Sequence, residues 1–176
     1  MINNEKLLSS KEIFRGRAVN LRIDTIEKIS GPVTTREIVE HTDCIAVVAV
    51  DGEGRIVMVK QFRRPANKML LEIPAGGVED GEDPEDCVRR ELQEETGYLP
   101  GKLQNLGGFY AAPGYCTEYL HLFLAMDLTE SRLIAEDTDE IEVLRFTVPE
   151  ILAMIDSGEI CDAKSIAGLL KYIGSR

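Results

Sequence analysis

Apolar and polar positions alternate early in the chain. From Arg17 onward Val19, Leu21 and Ile23 fall on every second residue, the period of a strand with one covered face. Ser30-Gly31-Pro32 supplies turn chemistry, and Thr35 to Glu40 reads as a second strand. Cys44–Val50 is an unbroken run of seven apolar residues. Together with Arg55–Phe62 it flanks Asp51-Gly52-Glu53-Gly54, which predicts a hairpin. Past Asp83 the pattern becomes helical. Asp83 suits an N-cap, Pro84 the first helical position and Gly97 the stop, so a helix is expected from Pro84 to Thr96 with Val88 and Leu92 on its covered stripe. Strands are expected again at Leu103–Tyr110, Tyr119–Asp127 and Ile141–Thr147. Thr147-x-x-Glu150 has capping-box spacing for a short helix ending near Gly158. A last helix from about Asp162 is expected to bury Ile166, Leu169, Leu170 and Ile173. The sum is an α+β chain with a mixed sheet.

Composition narrows the function. A chain of 176 residues suits one domain with a proper core. The formal net charge is −11, with 31 acidic against 20 basic residues, which disfavours nucleic acid as a partner. An anionic ligand would need local arginines or a bound metal to overcome that field. The longest apolar run is far too short to span a bilayer, and MINNEKLLSS lacks the apolar stretch of a secretory signal, so no membrane partner is expected. Cys44, Cys87, Cys116 and Cys161 form no CxxC pair. They read as free thiols of a cytoplasmic protein rather than zinc ligands.

The predicted central helix carries RELQEETG, with Glu91 and Glu95 one turn apart and Glu94 on an adjoining stripe. Like charges at such spacings cost a few tenths of a kcal/mol per pair, roughly. Arg90 alone cannot neutralise them. The cluster is either a solvated acidic face or a site for a hard divalent cation such as Mg²⁺ or Mn²⁺. Just upstream, the glycines of Leu71-Glu72-Ile73-Pro74-Ala75-Gly76-Gly77 allow backbone to approach a ligand.

The spacing decides between these readings. Gly76, five residues, Glu82, seven residues, then Arg90-Glu91-Leu92-Gln93-Glu94-Glu95-Thr96-Gly97-Tyr98 matches G-x5-E-x7-R-E-U-x-E-E-x-G-U, with U a bulky apolar residue. A chance match at these fixed identities is on the order of one in 10⁸. The chain therefore resembles the Nudix hydrolases, which cleave nucleoside diphosphates linked to another moiety. The resemblance implies an α/β/α sandwich with a mixed sheet, preceded by N-terminal antiparallel strands. It also implies metal coordination by Glu91, Glu95, Glu94 and the Ala75 carbonyl, with Glu82 acting through water and Arg90 orienting the carboxylates. Mg²⁺ is the expected cofactor, Mn²⁺ its alternative.

Further segments resemble the ADP-ribose pyrophosphatase branch: Gln61-Phe62-Arg63, Glu72-Ile73-Pro74-Ala75-Gly76, and Pro113 in Ala112-Pro113-Gly114-Tyr115-Cys116-Thr117-Glu118, fifteen residues after Tyr98. Ala112 and Phe62 depart from the serine and tyrosine usual in that branch. The branch implies hydrolysis of ADP-ribose to AMP and ribose 5-phosphate, with GDP-mannose or another nucleotide sugar as the runner-up substrate. A Nudix fold that only binds nucleotides would tend to lose box glutamates, and all are present here. Arg63, Arg36, Pro113, Gly114 and Glu118 are the substrate-binding candidates. Glu140, then Asp137, in the acidic loop 136–140 are candidates for positioning the attacking water. The resemblance also implies a homodimer. Residues 1–42 would form its dimerisation arm, Phe14 or Arg15 to Val19 would lie near the other subunit's site, and 43–176 would form the hydrolase domain.

Overall fold

The computed structural model describes residues 5–29, 31–135 and 140–175. Contacts divide the chain into two compact units, Met1–Asp43 with Tyr110–Tyr119, and Cys44–Phe109 with Leu120–Arg176.

The first unit is an antiparallel sheet in the order β1-β2-β3, from Glu5–Arg15, Asn20–Lys28 and Val33–Glu40. The alternation beginning at Arg17 is thus partly a turn, closed by Gly16 N donating to the Val19 carbonyl at 3.0 Å, before β2 starts. The segment around Pro113 folds back on β3 through Val39 N to the Tyr115 carbonyl (2.8 Å) and Thr117 N to the Val39 carbonyl (3.0 Å). Tyr110 and Tyr119 meet edge to face at 5.0 Å between ring centroids.

The second unit holds a mixed sheet. Its strands are β4 (Cys44–Val50), β5 (Ile56–Arg63), β6 (Lys68–Glu72), β7 (Ala75–Gly77), β8 (Tyr98–Tyr110), β9 (Tyr119–Glu130) and β10 (Glu142–Phe146). The main order is β10-β5-β4-β9-β8, with β6 paired to β5 and β7 to β4. β4 and β9 run parallel, whereas β4 is antiparallel to β5 and β7. The expected hairpin is present, its turn held by Asp51 accepting from the backbone N of Glu53 and Arg55, both at 2.9 Å.

The apolar run of β4 is unbroken because both faces of the sheet are covered. Ile45, Val47 and Ala49 pack with Cys87, Val88 and Leu92 of α1 (Pro84–Glu95). Ala46 and Val48 face the other way, toward Ile151 of α2 (Val148–Ser157) and Leu169 and Tyr172 of α3 (Ala163–Gly174). The result is the expected layering of helix, sheet and helices. Among the described residues no helix is long and apolar enough to cross a membrane.

One prediction about α3 fails. Leu170 is 45% exposed, and the covered stripe is Ser165, Gly168, Leu169 and Tyr172. Buried Ser165 accepts a hydrogen bond from Ile73 N at 2.9 Å, and Gly168 lies against the Ile73 and Leu122 side chains. These contacts set the rotation of the helix and turn Leu170 outward.

Candidate active site

Local chemistry places α1. The Asp83 carboxylate caps it by accepting from Glu85 N at 2.9 Å, and Pro84 opens it. Gly97 follows its end at φ +79°. With Cys87, Val88 and Leu92 turned into the core, the same helix presents Arg90, Glu91 and Glu95 toward β7, with Glu94 beside Arg90.

Arg90 is the hub. Its Nε and Nη2 hold the two Glu82 oxygens at 2.9 Å each, Nη1 reaches Glu91 at 2.6 Å and Glu94 at 3.3 Å, and Nη2 donates to the Gly77 carbonyl at 3.1 Å. That fork holds the Glu82 carboxyl far below its usual range, at about 2. Glu79 N also donates to Glu82, at 3.0 Å, closing the loop before the helix.

Glu91 and Glu95 reach the backbone of β7. Glu95 accepts from Ala75 N at 3.1 Å and is only 7% exposed. Burial pushes its carboxyl up to about 8, with the neighbouring Glu91 charge adding to the effect. Burial also raises Glu91, against the opposing pull of Arg90. A Cβ on Gly76 would fall 1.9 Å from the Glu91 carboxyl carbon, so the position is closed to any side chain while Glu91 stays in place. Cys87 donates to the Gly77 carbonyl at 3.3 Å, and burial pushes its thiol well up, as for an inert core cysteine.

The donor set is thus four carboxylates against one guanidinium, two of them driven by burial toward their neutral forms. All the donors are hard oxygens. This suits a Mg²⁺-like cation, whose charge would relieve the repulsion that Arg90, Arg63 and Lys164 offset only in part.

The remaining candidates are distributed differently. Arg63 is committed to Glu72, with Nε at 3.1 Å from both carboxylate oxygens and Nη2 at 2.5 Å from one of them. Lys164 Nζ joins the same carboxylate at 2.9 Å. In the first unit, Arg36 pairs with Glu5 at 2.5 Å, Pro113 and Gly114 form an exposed turn, and Glu118 is half-buried. Glu140 is an exposed turn residue just before β10, and Asp137 lies outside the described residues. In the sequence Glu72 stands out only within a motif, and Lys164 and Ser165 not at all. No spacing signal links positions 92 residues apart, which is the separation of the Glu72–Lys164 and Ile73–Ser165 pairs.

With box spacing, helix and carboxylate cluster in register, the chain belongs to the Nudix hydrolase family: the NUDIX domain matches residues 40–169. Among its relatives is an ADP-ribose pyrophosphatase from Bacillus subtilis (strain 168), 43% identical over 172 residues, covering 96% of this chain and 92% of that one. A methanol dehydrogenase activator from Bacillus methanolicus is 40% identical over 164 residues, covering 92% and 89%. A GDP-mannose pyrophosphatase from Yersinia pestis (strain Pestoides F) is 39% identical over 129 residues, covering 68% and 64%. The fold is similar to that in a crystal structure of an ADP compounds hydrolase, with a TM-score of 0.90 at 17% identity over 99% of this chain and 95% of that one.

Proposed function

We propose that the protein hydrolyses the pyrophosphate bond of ADP-ribose to AMP and ribose 5-phosphate with Mg²⁺, Mn²⁺ serving as a substitute. The observation that carries the reaction class is the pair Glu91 and Glu95, both drawn toward protonation by burial and both seated against the Ala75–Gly76 backbone. The choice of ADP-ribose is supported by the near full-length relative of that activity at 43% identity, against a GDP-mannose relative that aligns over a shorter stretch.

Glu91, Glu95 and Glu94, with the Ala75 carbonyl, are assigned to hold the cation, and Glu82 to contact it through water. When bound, a divalent ion polarises a phosphoryl oxygen and lowers the pKa of water. Arg90 keeps the carboxylates oriented through the contacts described above. Glu140 or Asp137 accepts the proton of the attacking water. The water oxygen bonds to one phosphorus as the bridging P–O bond breaks. Arg63 and Arg36 are assigned to the substrate's phosphates, and Pro113, Gly114 and Glu118 to its recognition.

A hydrolysis panel in Mg²⁺ with ADP-ribose, GDP-mannose, ADP-glucose and NADH tests the substrate. ADP-ribose should give the highest kcat/KM, and a preference for GDP-mannose would refute that assignment while sparing the mechanism.

We further infer a cytoplasmic homodimer that does not bind nucleic acid. The net charge of −11 supports the last point, and four cysteines outside any disulfide support the compartment. The dimer reading is supported by β1, an edge strand whose Leu7, Leu8, Ile13 and Phe14 are all exposed. Light scattering should return twice the 19.6 kDa chain mass, and a monomer mass at micromolar concentration would exclude it.

A further inference from the structure

Residues 72–76 run from the end of β6 into β7, and each is fixed by a different partner. Glu72, 2% exposed, accepts from Arg63 and Lys164. Ile73 N donates to Ser165 Oγ at 2.9 Å. The Pro74 carbonyl accepts from Val47 N at 2.9 Å. Ala75 N reaches Glu95, and Gly76 lies under Glu91. Two of these holds therefore come from the first turn of α3.

That turn is itself organised by one carboxylate. Asp162 caps α3 by accepting from Ser165 N at 2.9 Å. It also accepts from the Ser165 hydroxyl and lies 3.1 Å from Lys164 Nζ. The Ser165 oxygen is thereby left to accept from Ile73, and the Lys164 ammonium is aimed at Glu72. Arg63 and Lys164 together balance Glu72 and Asp162. The buried acid is paired on both sides, which offsets the cost of taking a carboxylate out of water.

We propose that the N-terminal turn of α3 is a positioning element for the metal site: Lys164 and Ser165 fix Glu72 and Ile73, and so set where Ala75 and Gly76 stand relative to Glu91 and Glu95. The inference rests on the metal reading of those glutamates. Neither Lys164 nor Ser165 touches substrate or cation; both act through the backbone they hold. Groups that orient metal ligands at one remove typically change affinity or activity by about ten- to a hundredfold when lost.

The test is Mn²⁺ binding to the substrate-free, full-length protein by calorimetry, with thermal midpoints measured in EDTA alongside. Lys164→Met and Ser165→Ala should each raise the Mn²⁺ Kd by about tenfold. Lys164→Arg, which keeps a charged donor for the Glu72 carboxylate, should hold it within about twofold of wild type. At saturating Mn²⁺, KM of Ser165→Ala for ADP-ribose should keep its wild-type value while kcat falls. A purely stabilising role would lower the thermal midpoint and leave the Kd of the folded variants unchanged, and that result overturns the proposal. If Lys164→Met does not fold, Ser165→Ala decides by the same criterion. Wild-type protein that takes up no Mn²⁺ overturns the metal reading itself, and this inference with it. Wild-type uptake with unaltered variants overturns only the inference.

Discussion

Burial withdraws the Glu95 carboxylate from water and leaves it beside a second acid, Glu91, so its proton is held to about pH 8 instead of 4.5. Between those values the folded, metal-free protein keeps a proton that the unfolded chain has lost. Its stabilising contribution is full below about 4.5 and disappears as pH rises through about 8. The thermal midpoint in EDTA should therefore fall from pH 5 to pH 8. On the proposal that Mg²⁺ displaces that proton, added Mg²⁺ should raise the midpoint more at pH 8 than at pH 6. Scanning fluorimetry over the pH series checks both, and a midpoint that climbs steadily to pH 8 in EDTA would contradict the assignment. Glu82 behaves oppositely: its pairing with Arg90 stabilises above about 4.5 and is lost only in strong acid. The acids themselves were legible in the sequence because box spacing names them. Their unequal environments were not, because burial of Glu95 beneath Ala75 depends on how β7 docks.

At the scale of elements, α3 shows how close approach overrides apolar periodicity. Gly168 lets the helix settle on the sheet; a Cβ there would stand 2.9 Å from Ile73 Cδ1 and 3.0 Å from Leu122 Cδ1. Both side chains are themselves buried and have little room to yield. Gly168→Ala should thus destabilise the protein by about 1–3 kcal/mol in urea unfolding, against a gain of roughly 1 kcal/mol expected from helix propensity alone. A net gain in stability would show that the helix can shift. The period-based reading placed Leu170 in the core because serine and glycine carry no apolar signal, yet Ser165 and Gly168 define the contact face. β1 escaped prediction for the reverse reason: from Lys6 to Arg15 every residue is exposed, so no buried face imposes a pattern on its sequence. β7 is three residues long, Ala75–Gly77, and is a strand only because β4 pairs with it. The long α1 and the doubly covered β4 were legible, since caps and an unbroken apolar run are local signals.

On the scale of the whole molecule, an acidic chain is assigned an anionic substrate, and the two are reconciled by a cation at the carboxylate cluster. The net charge of −11 opposes a pyrophosphate at long range, while a divalent ion held by Glu91 and Glu95 beside β7 would concentrate positive charge at one place. The layered sheet supplies the rigidity: β4 carries β7 on one side and packs α1 against one of its faces, so backbone and helix donors share one scaffold. The measurement that bears most directly on this account is AMP release from ADP-ribose by Glu95→Gln at saturating Mg²⁺. The substitution removes one ligand charge, keeps an acceptor for Ala75 N, and relieves a buried acid, so the thermal midpoint in EDTA should hold or rise. With Glu95 as a metal ligand, kcat should fall by at least about a hundredfold in that folded variant. A kcat within about threefold of wild type would contradict that role.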